Sequence, residues 1–301
     1  MNKKNISIND RELSLSNPEK ILYPAYGFTK VRILEYYSRV ARFILPHLKD
    51  RALTLKRYPQ GVDQEYFFEK RCPAHRPNWV KTAALPYGKD KKIAYCLANN
   101  LETLIWLENL ASIELHVPLA RAASYRTPDA VVFDLDPGDG ADILDCARVA
   151  LILKELLARQ HLLSWVKTSG RKGLHVFVPL NSKGTSFENT KSFSRAVAET
   201  MQNKYPDLVT ARMDKKYRRN KVFINWSQND ASKTMVCAYS LRAEEKPYVS
   251  CPLKWPELEK LLKLKKPDKF QVLAAEAVKR VGKDGDLFRE VLTKKQRLPN
   301  V

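Results

Sequence analysis

The sequence predicts an α+β (mixed α/β) fold in a single domain over 1–301. Three observations carry this. Runs with the apolar period of strands and runs with the period of helices follow one another in irregular order, unlike the strict alternation of a doubly wound sheet. The chain has 301 residues, 44% of them hydrophobic, which is enough for a sizeable core. No linker is long enough to force a domain boundary.

Residues 1–25 read as a strand or extended arm with a turn at "SNPEKILYP". "TKVRILEYYSRVARFILPHL" has helical periodicity, with Thr29 placed to cap it and Pro46 near its end. "ALTLKRYPQG" and "EYFFEKR" alternate and form the strands of a hairpin. "NNLETLIWLENLASIEL" is a second helix, and "AVVFDLDP" a strand. "DILDCARVALILKELLARQ" is a long amphipathic helix. "LSWVKTSGRKGLHVFVPL" reads as strand, glycine turn, strand, and "SFENTKSFSRAVAETMQNKYP" as a helix starting near Ser186 or Glu188. "KVFINWSQND" and "TMVCAYSLR" are further strands. Residues 248–301 form a Pro- and Lys-rich tail with short helices at "WPELEKLLK" and "FQVLAAEAVKRV".

Lys and Arg total 53 against 33 Asp and Glu, a net charge of +20 spread along the whole chain. A surplus of that size points to a polyanionic partner, nucleic acid first. A membrane surface is disfavoured, because no basic amphipathic helix carries an aromatic face and no apolar run reaches the ~18–20 residues of a span. The first ten residues lack the apolar core of a signal peptide, so an intracellular protein is expected. The 5 cysteines, odd in number and widely spaced, fit a reducing compartment. Cys72 and His75 in "CPAH" have ligand-like spacing, but no second pair follows to complete a zinc site.

The sharpest chemical signal is "VVFDLDPG", where Asp134 and Asp136 point to the same face of a strand. Two carboxylates so close repel unless a cation lies between them, and oxygen ligands of this kind suit a hard divalent ion. A solvated turn accounts for the same residues. In "SGRKGLHV", Ser169, Gly170 and Gly173 let the backbone approach a phosphate, Arg171 and Lys172 add charge, and His175 begins the next strand. An ordinary basic hairpin is the alternative. Arg242 in "YSLR" is placed to clamp a phosphate or to sit on the surface. His116 follows an apolar helix. In "YFFEKR", one of Phe67 and Phe68 faces the core and the other faces out, where it can stack on a base; both at a sheet edge, or both in core packing, is the alternative. Lys20 and Lys30 flank a turn, able to share one phosphate or to be solvated.

Together "NPEKILYPAYGFTK", "DQEYFFEKR", "WLENLASIELHVP", "VVFDLDPG", "SGRKGLHVFVPL", "VFINWSQND" and "AYSLR" span nearly the whole chain. In that order the sequence resembles the polymerase domain of bacterial ligase D, the primase-polymerase of non-homologous end joining in the archaeo-eukaryotic primase superfamily. The resemblance implies a central, mostly antiparallel sheet flanked by helices, and a DNA-directed nucleotidyltransferase that fills gaps and extends 3′ ends at double-strand breaks. It assigns Asp134 and Asp136 to a two-metal site for Mn2+ or Mg2+. Ser169, Lys172, Gly173, His175 and Arg242 match the residues that hold the phosphates of a ribo- or deoxyribonucleoside triphosphate, and His116 an active-site histidine. Phe67 and Phe68 match a template-stacking pair, Lys20 and Lys30 a pocket for a downstream 5′-phosphate, and Lys56 another DNA-contacting lysine of that region. Arg218 or Arg219 falls on a loop that handles the primer terminus. A Ku-like end-binding protein, a DNA ligase and a cytoplasmic, nucleoid-associated location are implied by the family. No K-x-D-G nucleotidylation motif occurs; "GKDGD" has the wrong order.

One departure matters. The family places a third metal aspartate where this sequence has Asn225, which keeps the shape and one carbonyl oxygen but loses the charge. The resemblance then implies an engineered trap, a weakened natural polymerase, or a DNA-end-binding synapsis module without chemistry. Asp230 is the nearby substitute, although its odd separation from Asn225 points it to the other face unless a turn after Asn229 reorients it.

Overall fold

The computed structural model describes residues 3–88, 90–182 and 184–299, so the ends of the 1–301 span, Met1, Asn2, Asn300 and Val301, lie outside the described residues. At its centre is a six-stranded sheet in the order Val209–Thr210, Val222–Asn225, Ala130–Pro137, Leu174–Pro179, Trp165–Thr168, Pro252–Leu253. Its pairings are antiparallel except that between Val209–Thr210 and Val222–Asn225. This is the mixed, mostly antiparallel architecture expected.

Period-two alternation divides the two faces of this sheet. Val131, Phe133, Leu135, Leu174, Val176, Val178, Val222 and Ile224 face one core, which the helices Ile143–Arg159, Phe187–Lys204 and Trp255–Leu264 cover. Ala130, Val132 and Phe177 face the other core, shared with the helices Lys30–Leu48 and Leu101–Asn109. A four-stranded antiparallel sheet, Met235–Val236, Glu114–Val117, Thr54–Arg57, Phe67–Glu69, borders that second core.

Helix starts follow their capping residues. Asp142 accepts from the amides of Leu144 and Asp145, and Ser186 from that of Asn189, each closing a capping box. Thr29 occupies the cap position of Lys30–Leu48 without a side-chain bond. The Pro and Lys-rich tail is not peripheral: Leu258 and Phe270 enter the first core, and Val272, Ala277 and Val281 the second.

Four expectations are corrected. The helix expected over 99–115 ends at Asn109; Ala111 turns the chain at φ 59°, and Glu114–Val117 continues as a strand. The strand expected over 234–242 is only Met235–Val236, because Tyr239 at φ 66° breaks it. The N-terminal arm is a hairpin, Lys3–Ile8 with Arg11–Ser16. Cys72 and Cys96 are joined in a disulfide, because the ribbon Thr82–Tyr87 with Lys91–Cys96 brings them to a Cα separation of 5.0 Å. Sequence spacing cannot show such a closure. His75 packs edge-on against Trp106.

Asn229 fastens the segment after Val222–Asn225 to the central strand. Its side chain, fully buried, accepts from the Val132 amide at 2.9 Å and donates to the Val132 carbonyl at 2.7 Å. Asn229→Ala leaves both backbone groups buried without partners, which costs about 2 kcal/mol or more. Urea denaturation should show a lower midpoint at unchanged slope; a loss under ~0.5 kcal/mol means that the segment holds itself.

Candidate active site

The register of the central strands builds a row. Asn225 lies opposite Asp134, Asp134 opposite His175, and His175 opposite Lys167. Cross-strand partners share a face, so these four side chains stand side by side on the face turned to the second core. Asp136 joins them two residues along the same strand.

Hydrogen bonds join Lys167 to His175 and Asn225 to Asp134, and a close approach of opposite partners joins the two halves of the row. Lys167 Nζ lies 2.8 Å from His175 Nδ1, and His175 Nε2 lies 3.3 Å from Asp134 Oδ1. Asn225 Nδ2 and Gln228 Nε2 each donate to Asp134 Oδ2 at 3.3 Å. Asn225 Oδ1 accepts from Ser227 Oγ at 2.8 Å, and Ser227 Oγ accepts from Lys233 Nζ at 2.7 Å.

Burial raises Asp134 above the ordinary carboxylate range, against the Gln228 hydrogen bond and the Lys167 charge. Burial, and then the charge of Asp134, push Asp136 up to about 7, with Arg218 the opposing cation. Two carboxylates on one face with so little compensation form a donor set that fits a divalent cation. Among the described residues no cluster of three or more His, Cys, Asp or Glu does so. The ion would therefore take its further ligands from a substrate or from Asn225.

Two close approaches shape the site. A Cβ on Gly173 would lie 2.1 Å from the Leu135 carbonyl oxygen, so only glycine lets the Ser169–Gly173 turn press against the aspartate strand. Ser169 Oγ gathers the amides of Arg171 and Gly173 at 3.2 and 3.1 Å. Likewise a Cβ on Gly138 would meet the Arg218 carbonyl oxygen at 1.8 Å. Of the two candidate arginines, Arg218 is half-buried, with its guanidinium 3.7 Å from the centre of the Phe223 ring, whereas Arg219 is exposed. Phe223 is the cross-strand partner of Asp136.

Opposite the carboxylates is a cluster of cations around Glu114, a residue the sequence reading did not single out. Glu114 is fully buried. It meets His116 Nε2 at 2.9 Å, Arg242 Nε at 3.5 Å, Arg171 Nη2 at 3.6 Å and Lys56 Nζ at 3.9 Å, and accepts from the Ala243 amide at 3.1 Å. Burial alone raises Glu114, but the His116 hydrogen bond and the charges of Arg242 and Lys56 outweigh it and hold Glu114 at about 2. Burial lowers both Arg242 and Lys56 from their ordinary values. Lys172 is exposed on the turn.

Phe67 and Phe68 are both exposed, by 44% and 56%, which corrects the expectation that one faces the core. Their strand is the edge of the four-stranded sheet. Phe68 contacts the rings of Tyr66 and His116 edge-on. Lys56 is buried, 3.8 Å from the centre of the Tyr66 ring. Lys20 and Lys30 adjoin across a short antiparallel pairing. Lys30 is buried and donates to the Ser16 carbonyl, the Ser16 hydroxyl and the Asn109 carbonyl at 2.6, 3.2 and 2.9 Å. Its three ammonium protons are thereby engaged, and burial, with the charges of Lys20 and Arg57, brings it to about 8. Lys20 bonds Gln60 at 2.6 Å. Asp230 does not join the carboxylates: a turn directs it to Lys191 at 2.8 Å, and that hydrogen bond holds it down at about 2.

Because the folded-state pKa of Glu114 lies below its ordinary 4.5, its stabilising contribution is complete above that pH and is lost as pH falls toward 2. Glu114→Gln should therefore be less stable than the parent at pH 7, with the gap closing below about pH 4.5. Melting temperatures across this range check it; a constant gap removes Glu114 as the source.

The family model "LigD, primase-polymerase domain" matches residues 29–288. Among curated proteins, the multifunctional non-homologous end joining protein LigD of Mycolicibacterium smegmatis is 39% identical over 246 residues, covering 81% of this chain and 32% of its own length. That of Mycobacterium bovis is 36% identical over 95% of this chain and 38% of its own. The bifunctional LigD of Bacillus subtilis is 34% identical over 83% of this chain and 40% of its own. The chain thus spans well under half the length of these relatives. The solved polymerase domain of Mycobacterium tuberculosis ligase D in complex with DNA superposes with a TM-score of 0.86 at 35% identity, covering 94% of this chain and 99% of that one.

Proposed function

Because the chain belongs to the LigD primase-polymerase domain family, we propose that it is a template-directed nucleotidyltransferase that fills gaps and extends 3′ ends during non-homologous end joining. The observation that carries this reading is the carboxylate pair Asp134 and Asp136 beside the buried cations around Glu114. Two negative groups and a positive cradle on one face accommodate a metal-bound polyphosphate, which needs both signs of charge.

In the reaction, the primer 3′-hydroxyl attacks the α-phosphorus of a nucleoside triphosphate and pyrophosphate leaves. Arg242, Lys172 and the amides of the Ser169–Gly173 turn hold the triphosphate. A divalent cation, Mn2+ or Mg2+, held by Asp134 and Asp136, would neutralise the phosphates and lower the pKa of the hydroxyl. Phe67 and Phe68 offer exposed rings to template bases, and Arg218 beside Asp136 faces the primer terminus. Lys20, with Lys30 and Arg57 adding positive potential, takes the downstream 5′-phosphate. A Ku-like protein and a DNA ligase are the partners, and the nucleoid the location, that the proposed role requires. No described helix is long and apolar enough to cross a membrane.

Asn225 lowers activity in this reading: its amide donates to Asp134 where the family has a third carboxylate. The same hydrogen bond favours a second reading, a DNA-end-binding module that performs no chemistry.

Primer extension on 5′-phosphorylated gapped DNA with Mn2+ and ribonucleotides tests both. Extension should vanish in Asp134→Ala and Asp136→Ala, and Asn225→Asp should be faster by about tenfold or more. Extension that persists in either alanine variant refutes the site. No extension in the parent or in Asn225→Asp, with salt-sensitive binding of 5′-phosphorylated ends retained, establishes the binding module.

A further inference from the structure

The segment that carries Arg242 lies outside the named strands. Tyr239 turns the chain at φ 66°, and one isolated bridge joins Leu241 to Val249. Three tyrosines from the N-terminal part of the chain tie this segment down. Tyr36 donates its hydroxyl to the Tyr239 carbonyl at 2.7 Å, the Tyr37 hydroxyl accepts from the Leu241 amide at 3.0 Å, and Tyr23 donates to the Arg242 carbonyl at 2.9 Å.

Tyr23 acts nearest the charge. The peptide unit between Arg242 and Ala243 is gripped on both sides. Its carbonyl accepts from Tyr23, and from the Glu244 amide at 3.0 Å; its N–H donates to Glu114 Oε1 at 3.1 Å. The same Glu114 oxygen lies 3.5 Å from Arg242 Nε. The side-chain stem is confined as well: a Cβ on Gly170 would lie 2.5 Å from Arg242 Cγ. Tyr23 is itself fully buried, and its ring meets Phe28 edge-on with centres 5.8 Å apart. Its hydroxyl is therefore a fixed point and cannot follow a moving Arg242.

We propose that Tyr23 is a positioning residue that acts through Arg242: its hydroxyl holds the Arg242–Ala243 peptide so that the guanidinium stays gathered at Glu114. An arginine restrained before a polyphosphate arrives loses less freedom on binding it. The use of that guanidinium for a triphosphate rests on the polymerase reading; the restraint on it does not.

Tyr23→Phe removes the hydroxyl and keeps the ring. Solvent exchange of the Arg242 Nε proton is read by nuclear magnetic resonance, with the signal identified by its absence in Arg242→Lys. It should speed up by about fivefold or more in Tyr23→Phe, the worth of one hydrogen bond. Arg51, buried and paired with Asp129, is the control and should exchange as in the parent. Titration with inorganic tripolyphosphate should give an affinity about fivefold weaker in Tyr23→Phe, with no further weakening when Tyr23→Phe is added to Arg242→Ala. Unchanged exchange at Arg242 overturns the proposal. So does an equal acceleration at Arg51, which means general loosening, or a loss of affinity as large in the Arg242→Ala background as in the parent. If the parent binds no tripolyphosphate, the exchange rates still decide whether Tyr23 restrains the guanidinium, and the failure counts against the polymerase reading alone.

Discussion

The antiparallel register of four adjacent strands is the constraint on which the rest depends. It aligns Asn225, Asp134, His175 and Lys167 in one row, although they are distant in sequence. The alternation that turns Asp134 and Asp136 to the face of the second core points Phe133 and Leu135 into the helical core. A slip of one residue would bury the carboxylates in hydrocarbon and expose the apolar set. Stability of the core and placement of the site are therefore one requirement, and Asn229 and Gly173 hold it from either side of the central strand.

The second organising group is Glu114. Arg242, Arg171 and Lys56 gathered around one point repel one another, and burial makes Arg242 and Lys56 costlier to charge. A carboxylate at their centre offsets both effects and fixes where the guanidinium groups point. It is the counterpart of Asp134 and Asp136, where negative charge is gathered with too little compensation. The two local fields, of opposite sign, lie within a chain whose net charge is +20.

Much of this was legible in the sequence. Asp-x-Asp on an alternating apolar run fixes a shared face, and "SGRKGLHV" marks a turn that only glycine can bring so near a strand. The long helices showed their periodicity and caps. What stayed hidden depended on long-range pairing. Glu114 lay in a run whose apolar residues fit a helix as well as a strand. Lys167 looked like one more lysine until the register set it beside His175. The exposure of both Phe67 and Phe68 depends on what packs over their strand, which local alternation does not report. The Cys72–Cys96 closure required the fold of the intervening ribbon.

The central claim, that Asp134 and Asp136 hold a divalent cation for polyphosphate chemistry, is tested most directly by counting bound Mn2+. Electron paramagnetic resonance on the protein with a non-hydrolysable nucleoside triphosphate reads the count. The account predicts one tightly held ion per chain, lost in Asp136→Asn, and a second gained in Asn225→Asp. A parent that holds no Mn2+, or an ion undiminished in Asp136→Asn, contradicts it.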